Sequence, residues 1–276
     1  MNQPEKLVIF DYSGTLSLEA PQFGRPANLV RALAESGLSP LGITTPKIFW
    51  EEIIIPTWME GSTTARGYKR VLAERIEARL APGAAGAEIA AAASRFVDRY
   101  LDHSRIDPGW RPILENLSVH PGIALVIATD HYAEATETII RCLHSWNLKA
   151  RKAEAGGGEK GWLSLFWVAN SADIGFWKAD RRFWEVLKSR LPLDTVRSAL
   201  IIDDFGFNEE QGDSDGEWAG VAARQEKTLN VLGEVFHAAQ VIPFLLKGGE
   251  RERAPALIAE TGKRISAGLN DLGKKT

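Results

Sequence analysis

Short apolar runs of strand length recur along the chain, and polar residues follow most of them. Four of these runs cover residues 7–10, 123–128, 165–169 and 199–202. Because they are apolar throughout and do not alternate with polar residues, they are typical of strands buried on both faces of a parallel sheet. A fifth run at 241–246 contains Pro243, which favours an edge strand because proline cannot donate a ladder hydrogen bond.

After residue 107, segments with the apolar spacing of amphipathic helices separate these runs. The predicted helices include residues 113–117, 135–143, 183–187, 221–232 and a last helix from Ala254, and residues 173–178 are predicted to form a loop. Strands that alternate with helices predict an α/β fold, here a Rossmann-like parallel sheet with right-handed crossovers.

Residues 18–107 show only helical patterns. Pro26 and Gly37 bound one predicted helix, and Thr45 is the predicted cap of the next, which Pro56 should kink or end. Ser62 is the predicted cap of a third helix. We therefore predict that 18–107 form an inserted helical cap domain, and that 1–17 together with 108–276 form the α/β core.

Composition narrows the classes of function. The chain has 276 residues, of which 45% are hydrophobic and 25% charged, and its net charge is -3. The absence of a long basic run argues against a nucleic-acid partner, and no apolar run approaches bilayer length, so we expect no membrane partner. The single cysteine, Cys142, excludes an internal disulfide, and the start MNQPEK lacks the pattern of a signal peptide. We therefore expect a cytoplasmic protein.

Candidate chemistry lies at the ends of the predicted strands. Asp11 follows the first run, Thr129 ends the second, Lys178 lies beyond the third, and Asp203 and Asp204 follow the fourth. Ligands bind beyond the carboxyl ends of the strands in open α/β sheets, where such side chains gather at one edge. The coincidence of four such positions favours a catalytic or metal site over four unrelated turns.

These residues resemble the four motifs of the haloacid dehalogenase (HAD) superfamily of hydrolases. The corresponding positions are Asp11-Tyr12-Ser13-Gly14-Thr15, Thr129, Lys178 and Asp203-Asp204. All occur in the order of the family, between residue 7 and about residue 210. The predicted helical insert also follows the first motif, where this superfamily often carries a cap.

The resemblance implies a Mg²⁺-dependent phosphohydrolase that acts on a small phosphorylated substrate. It makes Asp11 the nucleophile, which forms an aspartyl-phosphate. The implied Mg²⁺ ligands are a side-chain oxygen of Asp11, the backbone carbonyl of Ser13 and Asp204, with Asp203 close by. Mg²⁺ prefers such oxygen ligands and retains several waters.

The same resemblance assigns the contacts with the phosphoryl group. Lys178 is expected to stabilise both the nucleophile and the transferring group as a point charge. Thr129 and backbone N–H groups near Gly14 are expected to hold the phosphoryl oxygens. Asn208 and Glu209 are candidates for supporting the metal ligands, although a helix cap explains Asn208 equally well.

One position departs from the family pattern. Family phosphatases usually carry a second Asp two residues after the nucleophile as general acid and base, and this chain has Ser13. One interpretation is a leaving group that needs little protonation, as in a phosphoramidate or an acyl phosphate. A second is a phosphonatase-like enzyme that cleaves a phosphonate with a cap lysine, Lys47 or Lys69. A third is a protein that binds a phosphorylated ligand with little or no turnover.

A dehalogenase activity is less favoured by the sequence than these three. Dehalogenases of the family work without metal, and their fourth motif lacks an acidic pair suited to magnesium. The pair Asp203-Asp204 argues against that branch.

Overall fold

The fold is described from a computed structural model, which covers residues 3–79, 83, 85–120, 122–154, 164–209, 215–246 and 251–272. The segment KAEAGGGEKG (152–161), which its glycines predict to be a surface loop, and the tail from 270, which is predicted to fray, lie partly outside the described residues.

Six parallel strands form one sheet in this part of the chain. They are β1 (Lys6–Phe10), β2 (Ile123–Thr129), β3 (Lys149–Lys152), β4 (Leu165–Asn170), β5 (Ser198–Asp203) and β6 (Ala238–Pro243). Their spatial order is β3-β4-β2-β1-β5-β6, and every neighbouring pair is parallel. The predicted α/β, Rossmann-like class is confirmed.

Helices fill the connections. The helices before β2 are α1 (Glu19–Phe23), α2 (Pro26–Ser36), α3 (Pro46–Ile48), α4 (Ile55–Thr63), α5 (Tyr68–Arg79), α6 (Gly86–His103) and α7 (Arg111–Ser118). Those after β2 are α8 (Glu134–Ser145), α9 (Ser171–Ile174), α10 (Arg181–Arg190), α11 (Asp215–Phe236) and α12 (Ala254–Leu272). None of these helices, within the described ranges, has the length and apolar character that a transmembrane span requires.

The sheet is covered on both faces, which explains why its central strands are apolar throughout. Val8 and Phe10 of β1 pack into a cluster with residues of α7, α8 and α12. Leu7 and Ile9 point the other way, into a cluster with residues of α10 and α11. Successive strand residues face opposite sides of a sheet, so both sets must be apolar when both sides are covered.

Strand register brings the predicted site residues to one edge. The central strand β1 lies between β2 and β5, and its last residue, Phe10, is aligned with Ile127 on one side and with Ile202 on the other. Asp11, Thr129 and Asp203 therefore leave the sheet close together, as the parallel topology requires.

Two edge strands differ from the sequence-based expectation. The edge position of β6 is confirmed, but the strand covers 238–243 and not 241–246, so Pro243 is its last residue. The pattern of apolar residues missed β3 because its sequence, KARK, buries only Ala150. Charged residues on a short edge strand discourage pairing with another chain, and the same feature hides the strand from a search for apolar runs.

The helices α1 to α6 have a hydrophobic cluster of their own. Residues of this helical segment (18–107), among them Leu33, Phe49, Leu72 and Phe96, pack around one another, and Tyr132 joins them from the sheet side. Between Asp11 and Ile123 the described residues contain no strand. The helical pattern predicted for this segment is therefore confirmed.

Pro56 does not end the helix, and the turn that precedes it is not a regular α-helical turn. The chain is helical from Pro46 to Thr63, with a π-helical turn at Phe49–Ile54 immediately before the turn that holds Pro56. Proline has no N–H to donate to the carbonyl four residues earlier, which belongs to Glu52. That carbonyl instead accepts a hydrogen bond from Nε of Arg75 at 2.6 Å.

The predicted cap at Ser62 is wrong. Ser62 lies in the last turn of α4, where its hydroxyl donates to the carbonyl of Trp58 at 2.6 Å. The next helix, α5, begins at Tyr68, and the carboxylate of Glu134 accepts hydrogen bonds from the N–H groups of Tyr68 (2.7 Å) and Lys69 (3.1 Å). A residue distant in sequence thus caps the start of α5, and the local sequence pattern cannot predict such a cap.

The predicted loop at 173–178 begins as a short helix. Asn170 caps α9 (Ser171–Ile174) by accepting from the N–H of Ala172, and Gly175 ends the helix in the left-handed region at φ 92°. The chain then runs through Trp177, whose indole N–H donates to the hydroxyl of Ser62 at 2.7 Å. This turn therefore contacts the helical segment.

Candidate functional site

The loop after β1 is shaped by Gly14. Its φ of 77° lies in the left-handed region that favours glycine, and its N–H donates to the carbonyl of Ser17 at 3.0 Å. A Cβ added at Gly14 would lie 2.6 Å from Oδ2 of Asp204. The glycine thus both turns the loop and leaves room for a carboxylate from another strand.

Three buried carboxylates meet at the carboxyl edge of the sheet. Asp11, Asp203 and Asp204 each present an oxygen, and these oxygens lie within 4.8 Å of one another. The Nζ atom of Lys178 lies 2.5 Å from Oδ1 of Asp11 and 2.9 Å from Oδ2 of Asp203. The four charged positions that the sequence singled out are therefore brought together.

Asp204 is held in place by hydrogen bonds from two loops. Its Oδ2 accepts from the N–H of Asn208 at 2.7 Å, and its N–H donates to the hydroxyl of Thr15 at 3.1 Å. The Asn208 amide nitrogen in turn donates to the carbonyls of Gly14 (2.7 Å) and Phe244 (2.8 Å). These buried contacts fix the distance between the β1 loop and the β5 loop.

Lys178 is positioned through its backbone. Its N–H donates to Oδ1 of Asp130 at 2.9 Å, and its carbonyl accepts from the indole N–H of Trp184 at 2.7 Å. Burial disfavours the charge on this lysine, but Asp11, Asp203 and Asp130 outweigh burial and raise its pKa well above the usual value. The side chain is therefore an ammonium ion at neutral pH.

If all three carboxyl groups were ionised, they would carry more negative charge than the Lys178 ammonium neutralises. Burial raises the pKa of Asp11 to about 8, with Lys178 acting against the shift and Asp203 adding to it. Burial also raises the pKa of Asp204, and Glu209, Asp11 and Asp203 raise it further. Such shifts are expected where several carboxyl groups share a dry site without enough positive charge.

This donor set fits a hard divalent cation. The three carboxylates supply only oxygen atoms, which Mg²⁺ prefers, and their spacing allows them to share one ion. A cation there would also favour the ionised forms of Asp11 and Asp204, whose pKa values are raised by burial and by neighbouring carboxylates.

A cavity of about 650 Å³ opens from this cluster towards the helical segment. Ser13, Thr129 and Lys178 line it near the carboxylates. Aromatic side chains from the helical segment line it elsewhere: Phe23, Phe49, Trp50, Trp58, Tyr68, Phe96 and Tyr100. One space therefore joins a charged region of the sheet edge to an aromatic wall.

His131 lies where the two parts of the chain meet. Its Nδ1 accepts from the N–H of Tyr132 at 2.8 Å, and its Nε2 lies 2.7 Å from the hydroxyl of Tyr100, with the two rings stacked. Burial lowers the pKa of His131 to about 4. An Nδ1 atom that accepts a hydrogen bond cannot also carry a proton, so the imidazole is neutral at pH 7.

Most predicted site residues lie together. The N–H of Gly14 itself donates within the loop, and the expected contact of backbone N–H groups near Gly14 with a phosphoryl oxygen stays a prediction. Ser13, in the loop after β1, and Thr129, the last residue of β2, both line the cavity. Two supporting residues had no predicted role: Thr15, the last residue of the first motif, and Asp130, which directly follows Thr129. Their positions in or next to the motifs were a usable signal.

Comparisons with known proteins give two similar folds. No protein-family model matches the sequence, and no curated protein matches it. One similar structure is a 2-haloacid dehalogenase from Pseudomonas syringae pv. tomato DC3000, at 19% identity and a TM-score of 0.45 over 80% of this chain and 99% of that chain. Another is the HAD-hydrolase YfnB from Bacillus subtilis, in a structure bound to magnesium, at 16% identity and a TM-score of 0.39 over 73% of this chain and 79% of that chain.

Both structural neighbours are HAD proteins. The geometry of the site itself indicates its chemistry. A carboxylate lies beside an ammonium group, two more carboxylates lie within reach of the same cation, and a cavity lies in front of them. Chemically, this arrangement suits nucleophilic attack by Asp11 on an electrophile whose negative charge a cation and Lys178 share.

Proposed function

We propose that this chain is a Mg²⁺-dependent HAD-like phosphohydrolase that acts on a small phosphorylated substrate through Asp11. The observation that carries the proposal is the meeting of Asp11, Asp203, Asp204 and Lys178 at the mouth of one cavity. Once ionised, the three carboxylates would leave excess negative charge beside Lys178, and a divalent cation would offset that charge before an anionic substrate binds. A site built in this way is suited to phosphoryl transfer, in which charge stabilisation and positioning provide most of the catalysis.

In the first step an oxygen of Asp11 attacks phosphorus, and the bond from phosphorus to the leaving oxygen breaks. Lys178 orients the attacking carboxylate and donates to the phosphoryl group, while Thr129 and Ser13 contact its other oxygens. Asp11, Asp203, Asp204 and the backbone carbonyl of Ser13 would hold Mg²⁺, which neutralises the negative charge of the carboxylates and the phosphoryl group.

In the second step water attacks the phosphorus of the aspartyl-phosphate. The bond between phosphorus and the Asp11 oxygen breaks, which releases inorganic phosphate and restores the carboxylate. The helical segment, as a cap over the cavity, would limit the access of other nucleophiles during this step.

The identity of residue 13 restricts the leaving group. A serine hydroxyl does not titrate near neutral pH, and the absence of a general acid costs roughly 10²–10⁴-fold in rate for a poor leaving group. His131 does not replace it, because both of its ring nitrogens are engaged and its pKa is lowered to about 4. The site therefore favours substrates whose leaving group departs without being protonated.

The phosphonatase-like alternative receives no support from the cavity. Lys69 forms an ion pair with Asp98 at 2.5 Å, Lys47 is exposed, and neither is among the residues that line the cavity. A lysine that forms a Schiff base with the substrate must reach the reacting carbon. We therefore do not propose carbon–phosphorus bond cleavage.

The test compares Asp11→Asn with Asp102→Asn, which changes an exposed carboxylate near the end of α6 that does not line the cavity. With p-nitrophenyl phosphate and Mg²⁺, we expect Asp11→Asn to lose at least 10³-fold in kcat, since the nucleophile is removed. Asp102→Asn should retain the wild-type rate, and EDTA should abolish the activity of both active proteins.

Two outcomes would contradict the proposal. Unchanged turnover by a folded Asp11→Asn protein would remove the nucleophile. A wild-type protein that binds phosphoryl ligands but hydrolyses none of a panel of phosphate esters, phosphoramidates and acyl phosphates would indicate a binding protein.

A further inference from the structure

The cavity has a second region that the phosphoryl chemistry does not use. Its wall in the helical segment is aromatic, with Phe49, Trp50, Trp58 and Tyr100 among its lining residues. A phosphoryl group occupies only the charged region near Asp11. The aromatic region is thus the surface that the rest of the substrate would contact.

One aromatic side chain in this wall keeps a sizeable exposed surface. Trp50 is 41% exposed, and its ring is in a T-shaped contact with that of Phe49, with ring centroids 5.4 Å apart. A single exposed apolar side chain is common, but this one lies in the lining of a cavity together with other aromatic side chains, which is the setting typical of a ligand site. A flat apolar group in the cavity would bury this indole face and gain the offset or edge-to-face contacts that aromatic rings prefer.

The chemistry near Asp11 points to the same kind of group. With Ser13 in place of a general acid, the site favours an oxygen leaving group of low basicity. A phenol ionises at a pKa of about 10, as in tyrosine, far below a simple alkanol, so a phenolate departs with much less help. An aryl phosphate ester therefore suits both regions of the cavity. Its ring would contact the aromatic wall, and its phosphoryl group would lie in the charged region near Asp11.

We propose, on the basis of the function proposed above, that the substrate is an aryl phosphate monoester whose ring packs on Trp50 in the aromatic wall while its phosphoryl group meets Asp11 and Lys178. The volume of about 650 Å³ lies within the range of roughly 300–1,000 Å³ that is usual for small-molecule sites. Trp50 acts in this arrangement as a specificity residue and takes no part in the chemistry.

Binding of two phosphonates that are not hydrolysed tests the aromatic region without turnover. In the presence of Mg²⁺, isothermal titration calorimetry of the full chain should give a Kd for benzylphosphonate at least tenfold below that for methylphosphonate, since only the former buries a ring. Trp50→Ala should raise the Kd for benzylphosphonate roughly tenfold and leave methylphosphonate unchanged. Trp50→Phe should retain most of the preference.

The matched control is Ile55→Ala. Ile55 is 68% exposed in the same helical segment and does not line the cavity. Its truncation should change neither Kd. Equal binding of the two phosphonates by the wild type, failure of benzylphosphonate to bind, or equal effects of Trp50→Ala and Ile55→Ala would overturn the inference.

Hydrolysis of phenyl phosphate and acetyl phosphate separates this inference from the proposed function. Both leaving groups depart readily, but only one carries a ring. Trp50→Ala should raise KM for phenyl phosphate alone. Turnover of both substrates without any effect of Trp50→Ala would overturn the aromatic subsite and leave the phosphohydrolase proposal standing. Tight benzylphosphonate binding without turnover of either substrate would support the subsite and overturn the proposed function.

Discussion

At the scale of single residues, the site depends most directly on Gly14. This glycine combines a positive φ of 77° with a place in which a side chain would meet the carboxylate of Asp204. The positive φ is a local property of the turn, and the sequence DYSGT already suggests a turn at this glycine. The contact with Asp204 depends on tertiary structure, because Asp204 comes from another strand.

Gly14→Ala and Gly122→Ala separate these two effects. Gly122 has nearly the same φ, 78°, but no atom of the described residues lies within 4 Å of the position of an added Cβ. Both variants should lose about 1–2 kcal/mol in free energy of unfolding from backbone strain alone. Only Gly14→Ala should also displace Asp204 and weaken Mg²⁺ binding, measured by calorimetry. Equal Mg²⁺ affinities in the two variants would contradict this role of Gly14.

The sequence could predict the charged residues of the site but not the residues that hold them. Asp11, Lys178 and Asp203 follow or end strands whose parallel order can be read from apolar runs, so their meeting follows from topology. Asn208 connects the carbonyls of Gly14 and Phe244. Those partners lie far away in sequence, and no local pattern distinguishes such an asparagine from a helix cap.

At the scale of elements, the helical segment is attached to the sheet part by a few directional contacts. Glu134 at the start of α8 accepts from the N–H groups of Tyr68 and Lys69, and Ser171 donates to the carbonyl of Ser62 at 2.5 Å. The rings of Tyr68 and Tyr132 stack beside them with centroids 4.1 Å apart. The wrong prediction of a cap at Ser62 has this origin, since the cap of α5 is supplied across the interface.

Glu134→Ala should therefore destabilise α5 more than α8, the helix that contains Glu134. The N–H groups of Tyr68 and Lys69 lose their acceptor, and loss of a cap costs about 1–2 kcal/mol. Hydrogen exchange resolved by residue should show faster exchange at the start of α5. Glu137→Ala, an exposed glutamate in the same helix, is the control and should leave that exchange unchanged. Slow exchange at Tyr68 and Lys69 in Glu134→Ala would show that this contact does not hold the helix.

At the scale of the whole molecule, the sheet supplies the charged region of the cavity and the helical segment supplies the aromatic wall. The apolar pattern predicted both parts, but not the space between them. That space depends on the contacts of Glu134, Ser62 and His131, which no single segment encodes. The buried carboxylates in this space also make the stability of the entire chain depend on pH.

Stability without metal should fall as the pH rises from 6.5 to 8. The folded protein holds a proton on Asp11, whose pKa is raised from 3.8 to about 8, whereas the unfolded chain has already released it. A raised pKa stabilises the fold fully below the unfolded value, and this stabilisation disappears as the pH passes the folded value. His131, whose pKa is lowered to about 4, acts below this window with the opposite sign. For Asp11 alone the loss is about 1.5 kcal/mol.

Thermal unfolding in EDTA and in Mg²⁺ tests this dependence. In EDTA, Tm should decrease between pH 6.5 and 8, and Asp11→Asn, which has no proton to release at that position, should show a smaller decrease. Mg²⁺ binds the ionised carboxylates, so it competes with protons, and the Tm increase that it causes should grow over the same window. A metal-free Tm that does not change with pH, or a Mg²⁺ effect that is larger at pH 6.5 than at pH 8, would mean that the buried carboxylates are not the groups that bind the cation.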